Sequence, residues 1–282
     1  MINRLIIIFL VCLISINLRG QNELQFSFEC EETIKSPIET KVLIKYPEGR
    51  LSNLYSDSIT KYDFSDNENF TSKGKYVLSI YFSAEKYGQD SIVYDFELRG
   101  NEIKTTISVD FDFRERLIKK GNIYEKGDSV LNGYIRINKF YDAPKTIEIS
   151  IDKGNVGNEY YKGPFFKIKN NSTDTLYGEH LPGYFWGTLS YLRNDSTFMT
   201  RTGILDYEFV DSPPLYPDST KIASVGSFGF RKKLVPFDYR FEVMLAKKWQ
   251  SIGIGIYEEK KNFIWWAGTK EYYKLTHDFK IE

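Results

Sequence analysis

Lys75-Tyr76-Val77-Leu78-Ser79-Ile80-Tyr81-Phe82 follows Lys73-Gly74 and decides the fold class. Tyr76, Leu78, Ile80 and Phe82 fall at alternate positions. A strand turns successive side chains to opposite faces, so this alternation marks a half-buried strand. The pattern recurs outward in both directions. Lys41-Val42-Leu43-Ile44-Lys45-Tyr46 stops at Pro47-Glu48-Gly49. Residues 91–98 end at Arg99-Gly100-Asn101, and 103–113 follow at once. Gly-Asn accepts the positive φ of tight turns, so these two are expected to form a hairpin. Further strands are expected at 133–140, 146–151, 184–192, 204–210, 251–257, 263–266 and 272–275, with a turn at Ala267-Gly268-Thr269. The helix-like exception is Phe113-Arg114-Glu115-Arg116-Leu117-Ile118-Lys119-Lys120, short and charged.

Composition agrees with an all-β chain. The 282 residues suffice for two ordinary domains or one large one. Hydrophobic residues at 41% and charged residues at 27% describe a packed protein rather than a disordered one. Aromatics reach 16%, with 21 Tyr and 21 Phe, which suits pleated, half-buried surfaces. Charge balances at 38 basic against 38 acidic residues, and no segment concentrates Lys and Arg. A nucleic-acid partner is therefore set aside.

Residues 1–20 differ from the rest. Arg4 gives a short positive start, 5–16 is almost purely apolar, and Asn17-Leu18-Arg19-Gly20 closes the run. This is the layout of a secretory signal peptide, shorter than the ~20 apolar residues of a membrane span. Cleavage after Gly20 would start the mature chain at Gln21 and leave no membrane span. An uncleaved signal anchor is the rival. A lipid anchor at Cys12 is disfavoured, because Val11 stands where a small residue is usual. The expected location is outside the cytoplasm: periplasm, cell surface or medium. The mature chain keeps one cysteine, Cys30, which cannot form an internal disulfide. Leu24, Phe26, Phe28 and Cys30 share one face, so Cys30 reads as a small buried hydrophobe on a first strand.

The alternation breaks near 117–121, where a domain boundary is expected: one β-sandwich over 21–117, a larger one over 121–282. Gly74-Lys75-Tyr76-Val77-Leu78-Ser79-Ile80, then Lys86-Tyr87-Gly88, then a strand ending near Leu98, resemble the prealbumin-like sandwiches of the carboxypeptidase-regulatory-like group. That resemblance implies a spacer or adhesion scaffold. In the second region, the strand, Asn-Ser turn, strand layout of 165–178 resembles Ig-like exported bacterial modules. So do Leu215-Tyr216-Pro217-Asp218-Ser219-Thr220 and the strand around 239–243. A bacterial proteinase-inhibitor domain shares this layout with a Pro-Gly-x-Ser turn, in which Asp218 here replaces the Gly.

Chemistry-bearing motifs are scarce. The two histidines are His180 and His277, too few for a zinc site or a Ser-His-Asp triad. No cofactor or metal is assigned. Gly253-Ile254-Gly255-Ile256 alternates and reads as a strand. Asp63-Phe64-Ser65-Asp66-Asn67-Glu68-Asn69 lacks the Gly of a calcium loop and reads as solvated. Asp110 and Asp112 share one strand face.

Adjacent aromatics carry more. In Trp265-Trp266 one indole is expected in a core and the other on the opposite face, and Tyr184-Phe185-Trp186 must likewise send rings both ways. Tyr184, Trp186, Trp265 and Trp266 are thus the candidate contacts for a glycan or protein-strand ligand, with packing under a loop or another domain as the plain alternative. Asp-Ser or Asp-Thr followed by an aliphatic residue or Thr occurs six times, with hydroxyls at Ser58, Ser91, Ser129, Thr175, Ser196 and Ser219, where ordinary composition predicts about one. The pattern resembles the acceptor motif of a general O-glycosylation system of exported bacterial proteins. Asp-Ser and Asp-Thr also open turns.

The reading is an exported, non-catalytic binding or scaffold protein of unidentified ligand. The alternative is a secreted hydrolase, or an inhibitor of one. A hydrolase would need Asp110, Asp112, Glu179 or Asp206 to converge in one cleft.

Overall fold

The computed structural model describes residues 22–30, 38–59, 63–64, 68–70, 73–120, 123–152, 165–178, 180–181, 184–192, 198–201, 214–224, 238–247 and 255–280. Residues 1–20, Glu179, Ser196 and Asp206 lie outside them. Every regular element among the described residues is a strand, so the chain is all-β. In order the first strands are β1 (Asn22–Cys30), β2 (Ile38–Lys45), β3 (Leu51–Ile59), β4 (Asp63–Phe64) and β5 (Glu68–Phe70). Next come β6 (Gly74–Ala84), β7 (Gly88–Leu98), β8 (Lys104–Lys120), β9 (Ile123–Asp142) and β10 (Ile147–Ile151). Then follow β11 (Phe165–Asn170), β12 (Tyr177–Gly178), β13 (His180–Leu181), β14 (Tyr184–Leu192) and β15 (Phe198–Arg201). The last are β16 (Thr220–Ser224), β17 (Asp238–Ala246), β18 (Gly255–Glu259) and β19 (Phe263–Lys280).

The chain divides into two compact units, 1–140 with 252–270, and 141–251 with 271–282. The boundary expected at 117–121 falls elsewhere. β8 and β9 pair antiparallel from Lys104↔Phe140 to Lys120↔Ile123, inside the first unit. The helix-like stretch 113–120 is accordingly the end of β8. Eight residues form too short a helix to stand alone, and pairing with β9 gives the same backbone a complete ladder. The division falls inside β9 and inside β19.

In the first unit, β3-β2-β6-β7 form a four-stranded antiparallel sheet. β1 runs parallel to β8, β8 pairs with β9, β9 with β19, and β19 with β18. One hydrophobic core draws on both groups. It contains Ile38, Val42 and Ile44 of β2, Tyr76, Leu78, Ile80 and Phe82 of β6, Ile107, Val109 and Phe111 of β8, and Phe263 and Trp265 of β19. The alternation that marked these strands is the inward row of each. The register sets Phe26, Phe28 and Cys30 of β1 opposite Ile107, Val109 and Phe111.

β7 and β8 do not form the expected hairpin. β7 pairs with β6, whereas β8 pairs with β1 and β9. Gly100 takes the anticipated positive φ of 82°. The buried Glu102 then accepts the N–H groups of Arg99 at 2.7 Å and Gly100 at 2.8 Å, closing a loop that carries the chain between sheets.

β7 is an edge strand, and side chains cap its outer carbonyls. Lys260 Nζ donates to Ser91 O at 3.3 Å, Tyr257 OH to Val93 O at 2.8 Å, and Lys139 Nζ to Glu97 O at 2.5 Å. Lys260 also pairs with Asp90 at 2.7 Å. At the opposite edge, β3 carries a bulge, its register shifting against β2 between Val42 and Leu43. Bulges and charges are how proteins keep sheet edges from recruiting other strands.

The second unit is built around β14. Phe185 and Trp186 run parallel to β16, and Gly187 onward runs antiparallel to β17. Glycine suits this switch: a Cβ on Gly187 would lie 2.2 Å from Cζ of Phe241. Phe241 stacks on Phe166 with centroids 3.8 Å apart and planes 5° from parallel. Buried Asn170 organises the turns beside them. Its Nδ2 donates to Asp174 O at 2.7 Å, and its Oδ1 accepts Ser172 Oγ–H at 2.6 Å. Asp218 takes a positive φ of 57°. The turn expected at Ala267-Gly268-Thr269 is continuous strand within β19, and Ala267 packs against the first unit's core.

Candidate functional site

The face of β8, β9 and β19 opposite the first unit's core carries a strip of polar and aromatic groups. Strand alternation builds it. Ile107, Val109 and Phe111 point inward, so Ser108, Asp110 and Asp112 point outward. Likewise Leu131, Ile135 and Ile137 point inward, leaving Asn132, Tyr134, Arg136 and Asn138 outward. Pairing sets Asp110 opposite Tyr134 and Asp112 opposite Asn132.

Asp112 is held from both sides. Asn132 Nδ2 donates to its Oδ1 at 2.7 Å and Tyr134 OH to its Oδ2 at 3.1 Å. Asp110 pairs with Arg136 through Oδ2 and Nη1, 2.9 Å apart, with the aspartate side chain only 10% exposed. Farther along, Asn138 Nδ2 donates to Thr106 Oγ1 at 3.2 Å. Trp266 lies over Tyr134 with planes 11° from parallel and centroids 6.3 Å apart. The Trp266 indole N–H and the Arg136 Nε–H are shielded from solvent without a hydrogen-bond partner.

Trp265 is core rather than ligand contact. It is 1% exposed and meets Phe82 and Phe111 edge-on. Trp266, one residue on, is half-buried on the opposite face. The side chains of Tyr184 and Trp186 lie outside the described part of the structure; their backbones belong to β14.

No protein-family model matches the chain, and no curated protein matches it.

The two near-parallel rings present apolar surface, and a carboxylate, amides and a hydroxyl lie beside it. Such polar groups hydrogen-bond hydroxyl groups while the rings cover C–H faces. Asp110 and Asp112 do share a face, as their spacing implied, but each is tied to its own partners. Among the described residues no group of three or more His, Cys, Asp or Glu stands close enough to hold a metal ion. Sequence reading missed Asn132, Tyr134 and Arg136. Their alternation in Asn132-Gly133-Tyr134-Ile135-Arg136-Ile137-Asn138 was visible, but their pairing with Asp110 and Asp112 was not.

Proposed function

We propose that this chain is an exported, non-catalytic binding protein whose Trp266–Tyr134 strip holds a neutral glycan. The observation that carries the reading is the near-parallel Trp266 and Tyr134 rings beside the fixed Asp112 carboxylate. The Asp110–Arg136 pair balances charge beside them, which favours an uncharged, polyhydroxylated ligand over an ionic one. Rigid strands rather than loops supply every group, so the strip is ordered before binding. The prealbumin-like and Ig-like resemblances, with the signal-like 1–20, support two sandwich modules that display this strip outside the cytoplasm.

Glycan-array screening followed by calorimetry on the best neutral oligosaccharide tests the reading. Trp266→Ala and Asp112→Ala should each weaken binding at least about tenfold, with the melting profile of Trp266→Ala close to wild type. Unchanged affinity in Trp266→Ala would refute the strip as the site. Turnover of the oligosaccharide by the wild type would favour the hydrolase instead.

A further inference from the structure

The structure sorts the Asp-Ser/Thr motifs into two kinds. Asp174-Thr175 and Asp218-Ser219 sit in irregular backbone before Leu176 and before β16, as turn openers do. Ser219 Oγ is occupied, donating to Tyr216 O at 2.6 Å. Asp57-Ser58, Asp90-Ser91 and Asp128-Ser129 instead lie within β3, β7 and β9. Aspartate is depleted in strands, so turn formation does not account for these three. The Ser129 hydroxyl is bonded to Tyr87.

Ser58 and Ser91 remain, and they match each other. Each is exposed on an edge strand of the β3-β2-β6-β7 sheet. In each, the preceding aspartate Oδ1 accepts the serine N–H at 2.7 Å. Both point to the same side. Ser58 stands in a cross-strand row with Glu39, Ser83 and Gln89, and Ser91 in a row with Tyr81, Lys41 and Ser56. Directly paired residues share a face, and these rows oppose buried Thr40 and Val42. A shallow depression of about 470 Å³ lined by Glu39, Lys41, Ser58, Tyr81 and Gln89 leaves room beside Ser58.

We infer that Ser58 and Ser91 are acceptors of covalent O-linked glycan on the outer face of this sheet. The inference rests on the export reading above. The donor class is a glycosyl diphosphate. Serine Oγ bonds to the anomeric carbon as the carbon–oxygen bond to phosphate breaks. The diphosphate leaves with that electron pair, and the hydroxyl proton passes to a base of the transferase. The aspartate fixes the backbone and keeps the serine on the edge of the sheet; it is a positioning residue.

Intact-mass and electron-transfer fragmentation of the full chain, isolated from the cells that natively make it, is the test. The expected result is a glycan mass on the peptides carrying Ser58 and Ser91. Ser58→Ala and Ser91→Ala should each remove one addition, Ser58→Thr should keep it, and Ser219→Ala should change nothing. Asp57→Asn should lower occupancy at Ser58 alone. Site mapping on the wild-type chain requires no variant to fold. A polypeptide-only mass, or glycan confined to Thr175 or Ser219, would overturn the assignment. The same spectrum reads the N-terminus: Gln21 with unmodified serines removes this inference and leaves export standing, whereas retained Met1 replaces the cleaved leader by a membrane anchor.

Discussion

Trp265 occupies the volume that Gly133 leaves empty on the neighbouring strand: a Cβ on Gly133 would lie 2.4 Å from Cζ3 of the indole. Gly133→Ala is therefore expected to overpack the first unit's core, at a cost of ~1–3 kcal/mol or more. Trp265→Ala leaves a cavity instead and should cost ~3–5 kcal/mol. Trimming the ring should relieve the clash, so Gly133→Ala with Trp265→Phe should lose less than the two single changes summed. Urea melts of wild type, Gly133→Ala, Trp265→Ala, Trp265→Phe and the double variant measure this. Strict additivity would show that the two positions do not share that volume.

Capping of the β7 edge leads to a different expectation. Tyr257 and Lys260 donate to the Val93 and Ser91 carbonyls. Tyr257→Phe with Lys260→Met would bare two acceptors in a row and remove a charge. An uncapped edge recruits another strand. Sedimentation velocity over a range of concentrations should show the double variant self-associating more than wild type. Identical profiles would mean that these side chains do not guard the edge.

His277 sets an acid response in the second unit. Burial holds its imidazole below the usual value, against the opposing pull of the Asp278 carboxylate. Arg240 faces the same segment and, bonded to Asp278 at 2.7 and 2.8 Å, holds that carboxyl below its usual range. The native state resists protonating His277, while the unfolded chain takes the proton near pH ~6.5. This contribution to stability is complete above that value and is lost as pH falls below it toward the folded-state value. The Asp278 contribution persists to lower pH, vanishing only below the ordinary carboxylate range. Chemical melts from pH 7.5 to 5 should slope downward for wild type and flatten in His277→Gln. Equal slopes would assign the loss to other groups.

Alternation told where strands lie, not which strands meet. Tyr76, Leu78, Ile80 and Phe82 announced the inward row of β6, since burial on one face leaves a period of two. Gly100 correctly signalled a positive φ, yet a hairpin was inferred because the carboxylate of Glu102, which redirects the loop, has no periodic signature. Residues 113–120 looked helical because charge density is local, while the β9 ladder that fixes them is not. The same gap governs the candidate strip. Asp110 and Asp112 were legible as one face, and Trp265 and Trp266 as opposite faces. Tyr134, Asn132 and Arg136 join them only through pairing across strands.

The division of the chain inside β9 and β19 bears on the order in which the protein can mature. Phe263 and Trp265 belong to the same core as Ile38 and Tyr76. A ribosome must therefore travel past residues 141–251 of the second unit before the first can close its interior. Folding from the N-terminus outward, one finished module at a time, is denied to this sequence. A chain whose earliest strands wait for its last one completes its first interior only when that final strand has been made.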